Sequence, residues 1–159
     1  MQVTIRPAEA RDVPRMLELV RELALFERAP DEVTVTEEHM RDAGFGKDPV
    51  WFGWVAEADG VIHGMAVCYE RYSTWKGRRL YLEDIIVTEA ARGQRIGEKL
   101  FLQCARHAVE QNYSGMLWQV LDWNTDAIRF YERFGAEFSG EWLNGSLGKE
   151  RLAELAATS

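Results

Sequence analysis

Three places in this sequence of 159 residues carry side chains whose type and spacing could do chemistry. The first is Arg92-Gly93-Gln94-Arg95-Ile96-Gly97, lying between an apolar run from Leu80 to Val87 and a stretch with helical periodicity. Gly93 lets the backbone come close to a ligand, and the first amides of a helix have no intrahelical acceptor. Together with the helix dipole and the charges of Arg92 and Arg95, they would make an anion site suited to a pyrophosphate. The segment has no Gly-Lys-Ser/Thr and no G-x-G-x-x-G, so it is neither a P-loop nor a dinucleotide fingerprint. A plain helix start with a packing glycine would look the same. The second place is Glu83-Asp84, two carboxylates in an otherwise apolar strand. Neighbouring strand positions point to opposite faces, and a buried carboxylate needs a partner. Each either pairs with a cation such as Arg78 or Arg79, or serves as an acid–base group. The third is Tyr131. Ala127, Ile128 and Phe134 share its helix face, and that spacing alone makes it a core aromatic. A phenol with a pKa near 10 also keeps a proton to give at pH 7.

The elements that would position these groups follow from periodicity and turn chemistry. Val3 and Ile5 alternate toward Pro7 as a short strand, and Asp12 offers a cap for a helix running to about Arg28. Thr36 starts a second helix that Gly44 and Gly46 end. Trp51 to Glu57 and Val61 to Tyr69 read as strands joined by an Asp59-Gly60 hairpin, with Leu80 to Val87 next. The helix after the glycine loop gathers Ile96, Leu100, Phe101, Cys104, Ala105, Ala108 and Val109 on one face. Gly115 to Leu121 reads as a buried strand, Asn124 as the cap of a helix closed by Gly135, and Phe138 to Leu147 as one or two final strands. A short polar helix ends the chain. The order β-α-α-β-β-β-α-β-α-β gives an α/β (α+β) protein with a mixed, mostly antiparallel central sheet flanked by helices, as a single domain over residues 1–159.

Composition narrows the partners. Lys and Arg number 19 against 26 Asp and Glu, a net charge of −7, which argues against a nucleic-acid partner and suits a cationic small substrate. Most soluble proteins are acidic without such a substrate. Cys68 and Cys104 sit in apolar stretches and read as reduced core residues of a cytoplasmic protein. The three histidines are scattered, so no metal is expected. No apolar run has membrane-spanning length, and the amino-terminal residues do not read as a signal peptide.

R-G-Q-x-I-G after an apolar strand, followed one strand later by D-W-N-x-x-A-x-x-F-Y-x-x-x-G-A, resembles the GNAT superfamily of acetyl-CoA-dependent N-acetyltransferases. The likeness runs nearly end to end. Ile5-Arg6-Pro7, E-L-A-x-x-E at residues 22–27, D-x-G-F-G at 42–46, and Tyr72-Ser73-Thr74-Trp75-Lys76-Gly77-Arg78 followed by Tyr81-Leu82-Glu83-Asp84 resemble its diamine branch. That branch holds the spermidine/spermine and thialysine acetyltransferases.

The resemblance implies a GNAT fold and a set of roles. The loop of Arg92, Gly93, Gln94, Arg95, Ile96, Gly97 and Glu98 would cradle the CoA pyrophosphate, although the branch usually has glycine where this chain has Arg95. The strand edge at Ile85, Ile86 and Val87 would pair with the pantetheine amides, with Asn124 and Ala127 also at the cofactor. Tyr131 would protonate the departing thiolate, and Glu83 would take the amine's proton through water. Phe26, Glu27, Trp75, Glu83 and Asp84 would surround the amine, with Trp142 as a further wall or an ordinary sheet-packing residue. Polyamine-preferring members have aspartate where this chain has Ser73, whereas thialysine-preferring members share its Ser-Thr-Trp-Lys-Gly. The expectation is therefore a homodimeric cytoplasmic enzyme acting on a thialysine-like amino acid or a small amine in preference to spermine. The alternatives are a GNAT acting on a protein amine or an aminoglycoside-type substrate, and a non-catalytic acyl-CoA-binding regulatory module.

Overall fold

Asp59 and Gly60 both take positive φ, 52° and 76°, the backbone that a two-residue hairpin needs. They join strand β2, Phe52–Ala58, to β3, Val61–Ser73, in antiparallel register. At the other end of β3 the Ser73 hydroxyl accepts from the N–H groups of Trp75 (3.1 Å) and Lys76 (3.0 Å). Gly77 follows at φ 81°, and the chain returns as β4, Gly77–Val87. The first strand, β1 (Thr4–Pro7), pairs antiparallel with β2, and β5 (Met116–Leu117) pairs parallel with β4, giving the order β1-β2-β3-β4-β5. The computed structural model describes residues 1–158, in two compact units, Met1–Leu121 and residues 122–158.

Helix α1, Val13–Phe26, covers one face of the sheet in the first unit. Its Val13, Met16, Leu17 and Leu19 form a core with Val55, Met65, Val67 and Ile86. Asp12 does not cap it as expected. Its carboxylate is taken by Arg6, at 2.8 and 2.9 Å, and by the N–H of Glu9 at 2.8 Å, and Arg6 also donates to Glu57 at 2.9 Å. This network ties β1 and β2 to the start of α1. Helix α2, Glu37–Phe45, is capped by Thr36, whose hydroxyl accepts from the N–H of His39 at 3.1 Å.

Helix α3, Ile96–Glu110, lies against the opposite face through Ile96, Leu100, Phe101, Cys104 and Ala108. Cys104 meets Cys68 of β3 with sulfurs 3.7 Å apart, both thiols free and buried. Val109 was expected on this face but is 79% exposed, because 100° of helical turn carries it off the stripe beyond Ala108. His107 packs its ring against Phe52 and Trp54, with centroids 4.9 and 5.1 Å away.

Two strand expectations fail. The run Gly115 to Leu121 contributes only Met116–Leu117 to the sheet, and Phe138 to Leu147 forms no strand among the described residues. Alternating apolar residues supply a face but not a ladder partner, and an unpaired extended backbone turns its amides to water. Trp142, 78% exposed, and Leu143, 95% exposed, therefore line no sheet. The second unit carries helix α4, Thr125–Glu132, closed by Gly135 at φ 84°, and helix α5, Lys149–Ala156. Among the described residues no helix is long and apolar enough to cross a membrane.

Candidate functional site

A slip in the β3–β4 ladder builds the acidic part of the site. Leu82 pairs with Cys68 and Asp84 pairs with Val67, so Glu83 is an extra residue with no partner on β3. Such a bulge twists the strand and re-aims its side chains. The expectation that Glu83 and Asp84 face opposite ways rested on regular alternation, which the bulge breaks. Asp84 shares the α1 face with Val67. Glu83 is exposed, and its charge is felt by Asp84 and by the phenols of Tyr69 and Tyr81 on that same face. Glu27, the residue on which α1 ends, acts on Asp84 as well.

Three carboxylates thus converge where α1 stops. Burial, reinforced by Glu83 and then Glu27, pushes Asp84 up to about 7. Burial also raises Glu27. Neither Glu83 nor Asp84 pairs with Arg78 or Arg79; Arg78 reaches Glu70 instead, at 3.7 Å. A cluster of acids short of cations is a place where an ammonium gains energy, because its charge restores the ionised state that burial disfavours. Phe26 is 45% exposed beside this cluster's helix end, with the Arg92 guanidinium 6.0 Å from its ring centroid. Trp75 does not join them. It stands 83% exposed at the β3–β4 hairpin tip, and six residues separate Gly77 from Glu83, roughly 20 Å of strand.

The anion loop has the form the sequence suggests, with two refinements. Gly93 takes φ 83° and Arg95 takes φ 60°, so both are left-handed just before α3. The backbone at 95 therefore needs the conformation that glycine adopts freely, and a bulky residue holds it at a cost. The first intrahelical bond is made by Lys99 N–H to Arg95, and α3 has no side-chain cap, which leaves the amides of Ile96, Gly97 and Glu98 directed outward. Arg92 is turned toward α1: its Nε donates to the Val87 carbonyl at 3.1 Å and its guanidinium lies 3.9 Å from Glu22. Glu22 also accepts from Thr88 Oγ1 (2.8 Å) and Glu89 N–H (3.2 Å), so α1 fixes the start of the loop. Gln94 is half-buried within it.

The strand edge fits too. β5 pairs with β4 only at Leu80 and Tyr81, so among the described residues Leu82 to Val87 have no ladder partner on that side. Ile85, Ile86 and Val87 therefore present an open edge that a chain of amides could complete. An acyl-carrying cofactor with a pyrophosphate and a peptide-like arm suits this pairing of free helix amides with a free edge.

In the second unit Asn124 is the cap of α4, its Oδ1 accepting from Ala127 N–H at 3.2 Å. Its Nδ2 has no partner among the described residues. Tyr131 is buried, 5.3 Å from the Phe130 ring and 6.4 Å from that of Phe138.

The bulge at Glu83 escapes sequence reading. So does the pair Tyr69–Tyr81, with ring centroids 5.0 Å apart beside Glu83. Only the register between two strands reveals either.

Comparison with known proteins gives a consistent picture. The model of the acetyltransferase (GNAT) family matches residues 14–136. The chain is similar to a bovine (Bos taurus) thialysine N-epsilon-acetyltransferase, at 41% identity over 97% of both chains. It is also similar to the human (Homo sapiens) spermidine/spermine N(1)-acetyltransferase-like protein 1, at 33% identity over 96% of this chain and 23% of that one. Among solved structures, an integron cassette protein from the mobile metagenome of V. cholerae superposes with a TM-score of 0.80 and 21% identity, covering 99% of each chain.

Proposed function

The chain belongs to the acetyltransferase (GNAT) family, and from that premise we propose that it moves an acetyl group from acetyl-CoA to a primary amine of a small molecule, a lysine-like amino acid of the thialysine kind in preference to spermine. The observation that carries this reading is the convergence of Glu27, Glu83 and Asp84 on one face of β4, whose free edge lies beside a helix start with open amides.

Acetyl-CoA supplies the activated acyl group. The residues that would hold it are the amides from Gly93 to Glu98, the edge at Ile85, Ile86 and Val87, and Asn124 with Ala127. Asp84 and Glu27 hold the ammonium end of the acceptor. Glu83, unpaired on its bulge, takes the proton that an alkylammonium must lose before its nitrogen has a lone pair. The Tyr131 hydroxyl carries the proton that a leaving thiolate needs. No cysteine takes part: Cys68 and Cys104 are buried against each other, and the contact with Cys104, reinforced by burial, pushes Cys68 far up, away from the thiolate form.

Ser73 supports the lysine-like acceptor, because an uncharged hydroxyl there gives a distal ammonium no counter-ion. Its hydroxyl is already committed to the hairpin turn. Since the tip stands about 20 Å from Glu83, Ser73 meets the acceptor only where a second copy supplies its tip, so a homodimer is part of the reading. The free, buried thiols suit a cytoplasmic enzyme, and the family match spans parts of both units, which suits one catalytic domain.

The test has two stages. Acetyl-CoA should raise the melting temperature while NAD and ATP at the same concentration do not; equal stabilisation by ATP would reduce the loop to a generic phosphate site. Tyr131→Phe should then keep CoA affinity and lower kcat by roughly 100-fold or more, whereas undiminished turnover returns Tyr131 to the core.

A further inference from the structure

Beyond the end of α1, the face of the sheet that carries Asp84 continues along the β3–β4 arm. Tyr69 pairs with Tyr81 and, two residues further out, Arg71 pairs with Arg79. Directly opposed residues share a face, as do residues two apart, so both pairs lie on the face of Val67 and Asp84. Like charges placed directly opposite destabilise a sheet. In a chain with 26 acidic residues a carboxylate beside them would be easy to supply, yet neither arginine has one among the described residues. Arg78, facing the other way, does reach Glu70 at 3.7 Å. Arg79 goes further: its Nε is buried and makes no hydrogen bond. That buried nitrogen carries a desolvation cost, while Arg79 as a residue stays part-exposed, and the exposed part is where an anion would meet it.

The tyrosine pair spans the ground between these arginines and the acids. The Arg71 guanidinium leans back over Tyr81, 5.5 Å from its ring centroid, and both Arg71 and Glu83 act on the two phenols. From Glu83 to Arg79 is four residues of strand, about 13 Å between backbones, which the side chains shorten from both ends. The ammonium and carboxylate of an extended lysine-like amino acid are separated by six single bonds, roughly 7–8 Å.

We infer that Arg71 and Arg79 form a subsite for the carboxylate of the acceptor, so that the face from Glu83 across Tyr69 and Tyr81 to the arginine pair accepts an amino acid lengthwise and repels a diamine. This rests on the proposed amine acetylation and adds a selection rule to it. A second ammonium at the far end of the acceptor meets two guanidiniums there, whereas a carboxylate meets paired, fork-shaped donors.

The experiment compares kcat/KM for lysine and its decarboxylated counterpart cadaverine, and for thialysine and its decarboxylated counterpart, in the native enzyme, Arg71→Gln, Arg79→Gln and the double variant. The native enzyme should favour each amino acid by about 10-fold or more, and the double variant should collapse that ratio by about 10- to 100-fold. The amino acid's KM should rise and the diamine's should fall, with little change in kcat. Melting temperatures should hold or rise, since a like-charge pair is removed; should the double variant fail to fold, the single variants give the same ratio test. An amino acid to diamine ratio that is the same in variants and native enzyme overturns the subsite and leaves acetyl transfer to amines standing. Turnover of no amine by the native enzyme overturns the acceptor reading and the subsite with it.

Discussion

Asp84 sits near the middle of its own titration at neutral pH, since burial and the neighbouring Glu83 and Glu27 push it up to about 7. The sign of the consequence follows from linkage. A carboxyl that is harder to ionise in the folded chain than in the unfolded one stabilises the fold fully below pH 4, and that contribution is lost as pH rises through 7. Asp84→Asn should therefore leave the unfolding free energy near pH 4 almost unchanged and raise it at pH 8 by an amount on the order of 2–3 kcal/mol. A shift that is the same at both pH values would show that Asp84 is not ionising inside the fold. If Asp84 holds the acceptor's ammonium as proposed, function pulls the other way: only the ionised acid attracts it, so kcat/KM should climb with pH through about 7 and the variant should lose that limb. The pair Glu83-Asp84 stood out from sequence as carboxylates out of place in a strand. Their convergence did not, because a bulge is a mismatch between two strands and neither strand's own sequence records it.

Helix α3 shows how far an element can be read and where reading stops. Its buried stripe, Val109 excepted, followed from periodicity, its glycine-containing start and free amides from the residue types at its head, and the departure at Arg95 marked the place where the branch it resembles usually has glycine. Only the backbone gives the reason: residue 95 has φ 60°, a left-handed conformation that suits glycine. Arg95→Gly should relieve that strain, partly offset by glycine's greater freedom in the unfolded chain, for a gain of up to about 1 kcal/mol. Thermal or denaturant unfolding of the cofactor-free protein measures it, and a clear loss of stability would mean that the Arg95 side chain makes a contact worth more than the strain. The strands were less legible. β2, β3 and β4 were placed by their turns, whereas Gly115 to Leu121 and Phe138 to Leu147 had apolar alternation without the partner that makes alternation a strand.

For the molecule as a whole, the net charge of −7 hides groups with opposing demands. Burial would raise Asp12, but the hydrogen bonds from Arg6 and the Glu9 amide overcome that and hold it below the usual carboxylate range. Its contribution is present above pH 4 and fades as pH falls further. His107, lowered by burial among Phe52 and Trp54, resists charging and begins to cost stability as pH drops below 6.5. Asp84 costs stability as pH rises toward 7, and its larger displacement sets the stronger slope. Stability should thus peak on the acid side of neutrality, below the pH at which turnover is fastest, and a melting curve at each pH unit from 4 to 9 would show the two optima apart. Arg6→Ala should flatten the acid side and destabilise throughout, by about 3 kcal/mol, because it strands the buried Asp12; a loss within about 0.5 kcal/mol would make the network ornamental.

The two-residue partnership of β4 with β5 makes the free enzyme a sheet with a rung missing. Alternate amides from Leu82 to Val87 point into that gap. In deuterated water they should trade their protons quickly when the enzyme is empty and slowly once acetyl-CoA is bound, in a pattern that repeats every second residue. The cofactor would then be readable as a temporary strand, one that joins and leaves the fold with every turnover.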